Sequence, residues 1–191
     1  MSVRIIAGKY KGFSLAVPPA ARPTLSRYRQ SLFDLLEAMA NTPAGFFEGK
    51  IILDCFAGSG AFGLETLSRG ASHAYFVDSA KESVSRIHSN VKKMKIENSS
   101  TIFCAEINYF GKQYRSEKYN VHSGVDLVFL DPPYGKAIIS QALKYLLNSG
   151  WISLNTIIVT EEDAGKTESV DGYFEIASRT YGNTIFRLWR R

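Results

Sequence analysis

Asp131-Pro132-Pro133-Tyr134 puts a carboxylate, two conformationally locked residues and an aromatic ring in one tetrapeptide directly after an apolar run. That combination suits chemistry at an exocyclic ring amine. Such an amine is a weak nucleophile because its lone pair is delocalised into the ring. Two fixed acceptors that hold its N–H groups leave the lone pair directed outward. The Asp131 carboxylate is one acceptor and the Pro132 carbonyl can be the other, held rigid because each proline fixes φ and adds no competing donor. A carboxylate there also stabilises positive charge that develops on nitrogen during alkylation. Tyr134 offers a face on which a base can stack, worth roughly 1–3 kcal/mol. Alone, the tetrapeptide is equally compatible with a proline-stiffened turn that ends a strand.

A second pattern lies upstream. Asp54-Cys55-Phe56-Ala57-Gly58-Ser59-Gly60 follows the run 51–55 and opens a helix, with Gly63 completing a GxGxxG spacing. Glycines there let a ligand approach the backbone, and the helix start presents free amides. Asp78, at the end of the next strand-like run, is placed to accept hydrogen bonds from ribose hydroxyls. A nicotinamide dinucleotide fits the glycines but not Asp54, whose charge would oppose a pyrophosphate. Asp54 suits instead a ligand with an ammonium group, such as the methionine part of S-adenosylmethionine. The cofactor set is therefore Asp54, Phe56, Gly58, Ser59, Gly60 and Asp78.

The elements that must position these residues alternate between strand and helix. Strand-like runs at 51–55, 74–77, 101–104, 125–130 and 156–160 are separated by helical stretches near 61–68, 80–94 and 138–147, and two further strands near 173–179 and 183–190 close the chain. Doubly apolar strands in such alternation predict a mostly parallel sheet covered by helices on both faces. Before it, 3–7 and 13–17 read as a hairpin around Gly8-Lys9-Tyr10-Lys11-Gly12. A helix capped by Thr24 or Ser26 then runs to about Met39. The organisation expected is a small basic extension over 1–45 and a catalytic domain over 46–191.

Residues 1–33 hold Arg4, Lys9, Lys11, Arg22, Arg27 and Arg29 and no acid, so the rest of a chain of net charge +5 sums to −1. This asymmetry suits a polyanionic partner. For Arg29, an ion pair with Asp34 or Glu37 is an alternative. Cys55 and Cys104 lie in apolar runs and are expected to be buried free thiols without a metal. No stretch is long and apolar enough to span a bilayer, so a cytoplasmic monomer without membrane partners is expected.

Together, Arg4-Ile5-Ile6-Ala7-Gly8-Lys9-Tyr10-Lys11-Gly12, Arg22-Pro23-Thr24 with Arg27, Arg29 and Phe33, the Asp54–Gly60 loop, Gly63-Leu64-Glu65, Leu67-Ser68-Arg69-Gly70-Ala71, Asp131-Pro132-Pro133-Tyr134 and Tyr181-Gly182 resemble the bacterial 16S ribosomal RNA guanine-N2 methyltransferases of the RsmD type. The resemblance runs nearly end to end. It implies a class I, Rossmann-like S-adenosylmethionine-dependent fold with seven strands and an N-terminal hairpin and helix. It also implies methylation of one guanine N2 in 16S rRNA, with the assembled or assembling small subunit as partner. An acid after the third strand is expected to meet the adenine; Ala105 takes that place and Glu106 adjoins it, so Glu106 joins the cofactor set. Ser26, Tyr28 and Gln30 depart from the residues common there. Two other functions remain compatible: an adenine-N6 methyltransferase acting on DNA or another RNA, and an RNA-binding module without turnover.

Overall fold

The computed structural model describes residues 3–18, 26–40, 42–132, 137–165, 170 and 172–191. Seven strands form one sheet among them: β3 (Ile51–Cys55), β4 (His73–Asp78), β5 (Ser100–Cys104), β6 (Leu127–Leu130), β7 (Ile157–Asp163), β8 (Phe174–Tyr181) and β9 (Thr184–Arg190). Their order across the sheet is β5-β4-β3-β6-β7-β9-β8. The first five run parallel, and β9 lies antiparallel between β7 and β8. The connections are α2 (Ala61–Ser68), α3 (Lys81–Met94), α4 (Ile107–Gln113) and α5 (Ala137–Asn148). The expected class I, Rossmann-like sheet is borne out.

Alternation along each central strand separates two cores, because successive side chains leave opposite faces. Ile52, Phe76, Leu127 and Phe129 join α2, α3 and the N-terminal elements on one face. Leu53, Tyr75, Val77, Val128 and Leu130 join α4, α5 and Trp151 on the other. The change of face follows from the order of connections. Chain progress from β3 to β5 moves one way across the sheet, and β6 then returns to the far side of β3. This is the switch point at which open sheets of this kind hold ligands.

The N-terminal hairpin is shorter than its sequence implies. Its ladder contains β1 (Val3–Arg4) and β2 (Ser14–Leu15), continued by Ile5 N–H to Phe13 O at 3.0 Å and Gly12 N–H to Ile5 O at 2.9 Å. It is held on α2 by the buried Glu65 carboxylate, which accepts hydrogen bonds from Ile6 N–H at 2.6 Å, Ala7 N–H at 2.9 Å and the Arg69 guanidinium at 2.9 Å. The tip closes on the end of α2, where Lys9 N–H meets Ser68 O at 2.8 Å. A Cβ at Gly8 would stand 1.8 Å from that oxygen, and φ is +77°, so only glycine fits. The buried Asn90 on α3 ties Ala16 to the carbonyl of Ser59 in the glycine loop.

The third N-terminal element, α1 (Ser26–Glu37), packs Leu32, Phe33 and Leu36 into the first core. It stops two residues before Met39, which follows in a turn bonded to Leu36 O. Two expectations need correction. α4 has no counterpart in the strand-and-helix reading, because in its seven residues only Phe110 and Gly111 are buried and no stripe develops. Cys104 is exposed rather than buried, since it ends β5, the edge strand of the sheet.

Candidate active site

The register of β3 and β6 brings the two motifs together. Cys55 pairs with Leu130, so Asp131 leaves its strand beside Phe56 at the start of the glycine loop. Phe56 has φ 60° without being glycine, a sparsely populated conformation of the kind concentrated at functional sites. Gly58 and Gly60 also have positive φ, and Gly60 precedes the first turn of α2. Gly63 lies so close to Phe76 that a Cβ would come within 2.5 Å of the ring. The spacing of the three glycines is thus explained by two backbone reversals and one helix-to-strand contact.

Two clefts meet at Phe56. The first, with about 660 Å³ of open space including its mouth, has Asp54, Gly58, Ser59 and Asp131 in its lining together with Arg29 and Glu161. Apolar walls come from Val3, Val17, Leu32, Phe62, Phe129 and Phe186. The second, with about 820 Å³ of open space including its mouth, is lined by Asp78, Ser79, Ala105, Glu106, Asn108 and α5. The two candidates for an adenine contact, Ala105 and Glu106, therefore line the same cleft, Ala105 buried and Glu106 exposed.

Asp54 is 1% exposed and accepts a hydrogen bond from Gly63 N–H at 2.9 Å. Burial pushes its carboxyl well above the usual range; the Gly63 bond opposes this, and the Asp131 and Asp78 charges add to it. Burial likewise pushes Asp131 up to about 6. Asp78 accepts from Gly58 N–H at 2.7 Å and from Ala80 N–H at 2.8 Å, which fixes its carboxylate at the entrance to the second cleft. The arrangement can hold a cationic amine near Asp54, a ribose near Asp78 and an N–H donor near Asp131. Pro132 is half-buried beside Asp131, whereas Pro133 and Tyr134 lie outside the described residues.

The basic residues separate into three groups. Lys9 and Lys11 are exposed at the hairpin tip, at the end of α2 opposite to the glycine loop and about 12 Å along its axis. Arg4 is exposed on β1, and Arg27 is exposed with its guanidinium 5.1 Å from the Tyr28 ring centroid. Arg22, with Pro23 and Thr24, lies outside the described residues. Arg29 is corrected: it is 5% exposed and turned into the first cleft, not onto an outer basic surface. Neither alternative ion pair forms, since Asp34 accepts from Gln30 while Glu37 accepts from Phe46 N–H and Arg69. Position explains this, because Leu32, Phe33 and Leu36 follow Arg29 at three, four and seven residues and carry it onto the apolar stripe.

Two residues of the site neighbourhood have no place in the motif reading: Asn90 and Glu161. Asn90 had a signal, a polar residue within an apolar helical stripe. Glu161 sits one residue past Thr160 on β7, and nothing in its spacing marks it.

Comparison with known proteins bears out the family resemblance. The family model described as Conserved hypothetical protein 95 matches residues 3–190. Ribosomal RNA small subunit methyltransferase D of Escherichia coli strain K12 is 29% identical over 99% of this chain and 90% of that protein. An uncharacterised methylase of Rickettsia prowazekii is 30% identical over 98% of this chain and 97% of its own length. Among solved structures, yhhF of Escherichia coli superposes with a TM-score of 0.83 at 25% identity, over 100% of this chain and 98% of that one.

Proposed function

We propose that this chain, which belongs to the Conserved hypothetical protein 95 family, methylates the exocyclic N2 amine of a guanine in 16S rRNA with S-adenosylmethionine as donor. The observation that carries the reading is the placement of Asp54 and Asp131 at the ends of the two strands flanking the switch point, in one cleft with the glycine loop. Ribosomal RNA as substrate is supported by the name of the Escherichia coli relative. Guanine N2 follows from the motif resemblance.

The residues present fit the donor. Asp54 would hold its ammonium group, Asp78 its ribose, and Ala105 and Glu106 would flank its adenine in the second cleft. When bound, S-adenosylmethionine supplies an electrophilic methyl group on a sulfonium. Asp131 and the Pro132 carbonyl would accept hydrogen bonds from the two N–H groups of the target amine and turn its lone pair toward the donor. The Asp131 charge would stabilise the positive nitrogen as it forms, until one of its protons is released to solvent. Tyr134 would stack the base, and the apolar walls of the first cleft keep water away. A base splayed from an RNA loop reaches such a pocket at less cost than a paired one.

Asp131→Ala tests this directly. The variant is expected to lose transfer by about 10²–10³-fold, in line with the removal of one preorganised electrostatic group, while calorimetric affinity for S-adenosylhomocysteine stays within about twofold of wild type, since removing a group that acts in the transition state leaves ground-state binding largely unchanged. Unchanged turnover in a folded variant would remove Asp131 from the chemistry.

A further inference from the structure

The Arg29 guanidinium is an unfinished charge. Of its five N–H donors, Nη2 bonds to Arg4 O at 2.8 Å and Nη1 to Ala61 O at 3.4 Å, while Nε is buried with no partner. No ion pair forms at Arg29 among the described residues. Burial disfavours its charge, and only the Glu65 field, already bound to two amides and Arg69, opposes that. A buried cation so incompletely matched is costly unless an anion completes it.

The cleft that Arg29 lines also contains Asp54, Asp131 and Glu161, and Arg29 draws down neither Asp54 nor Asp131. The cation and the three carboxylates thus face a common space. A small ligand bearing one negative and one positive group on a single carbon complements that space. An α-amino acid terminus is such a ligand, its carboxylate toward Arg29 and its ammonium toward Asp54. An RNA phosphate matches only the first, and at 5% exposure Arg29 lies too deep for a folded backbone to reach.

We infer that Arg29 is the carboxylate-binding residue for the amino-acid end of the methyl donor, opposite Asp54. This rests on the cofactor reading given above. It assigns to α1 a role in donor recognition distinct from that of the outward-facing Arg27.

The test is calorimetry on the full chain with two ligands, S-adenosylhomocysteine and its carboxamide, in which the carboxylate is replaced by a neutral amide. Wild type is expected to bind the carboxylate form about 10–100-fold more tightly, the range for hydrogen bonds to a charged group. Arg29→Gln is expected to lose that factor for S-adenosylhomocysteine and to bind the carboxamide within about twofold of wild type, which also shows that the variant is folded. Wild type that binds both ligands equally would overturn the assignment while leaving the cofactor reading intact. So would an Arg29→Gln variant that weakens both ligands alike, or one that weakens only RNA. Should Arg29→Gln fail to fold, the wild-type ligand pair decides alone. Wild type that binds neither ligand would sink the cofactor reading and this assignment with it.

Discussion

The seam between the hairpin and α2 and the carboxyl edge of the sheet each bury carboxylates, and they treat them in opposite ways. Glu65 is fully buried and matched by two backbone amides and Arg69. Asp131 accepts no hydrogen bond among the described residues and is pushed up to about 6; Asp54 accepts one, from Gly63. A carboxylate whose bonds are complete holds elements together. One whose acceptor sites are left open in a cleft is available to a ligand. The same distinction separates two arginines: Arg69, paired with the carboxylates of Glu65 and Glu37, and Arg29, bonded only to the backbone carbonyls of Arg4 and Ala61.

The comparison can be broken most sharply by exchanging the expected losses. Asp131→Ala should remove transfer with little change in melting temperature. Glu65→Ala should cost about 3–5 kcal/mol of stability, because it leaves Arg69 and two amides without their buried partner. Denaturant unfolding measures that cost, and turnover per folded molecule should survive where enough native protein remains. A Glu65 variant as stable as wild type would dissolve the distinction.

Acidity sharpens it further. In the proposed mechanism transfer uses the ionised Asp131, whose folded pKa is raised, so kcat/KM should hold above about pH 6 and fall roughly tenfold per pH unit below it. A profile flat to pH 5 would show that the carboxylate does not take part. The smallest effect belongs to the hairpin tip. Replacing Lys9 and Lys11 together by Ala should weaken RNA binding and lower the log–log salt slope by about 1.4 if both meet single-stranded phosphates. An unchanged slope in filter binding would take the tip out of the interface.

The sheet was legible because its central strands are apolar on both faces, and a run such as Leu127-Val128-Phe129-Leu130 has few other destinations. The site was legible where chemistry dictates residue type: Asp54, Gly58 and Asp131 all line the first cleft. What stayed hidden depends on direction. Arg27 and Arg29 look alike in a basic segment, yet two residues turn the chain about 200° around a helix, and one faces solvent while the other enters the cleft. The bonds of Glu65 join residues nearly sixty positions apart, which no local pattern announces.

The central claim is transfer of a methyl group to guanine N2 of 16S rRNA. Labelled-methyl transfer from S-adenosylmethionine to small ribosomal subunits, naked 16S rRNA and DNA, followed by nucleoside analysis, tests it most directly. The account predicts label in N2-methylguanosine from small-subunit RNA alone. Label in N6-methyladenine, label in DNA, or no transfer to any of the three would contradict it.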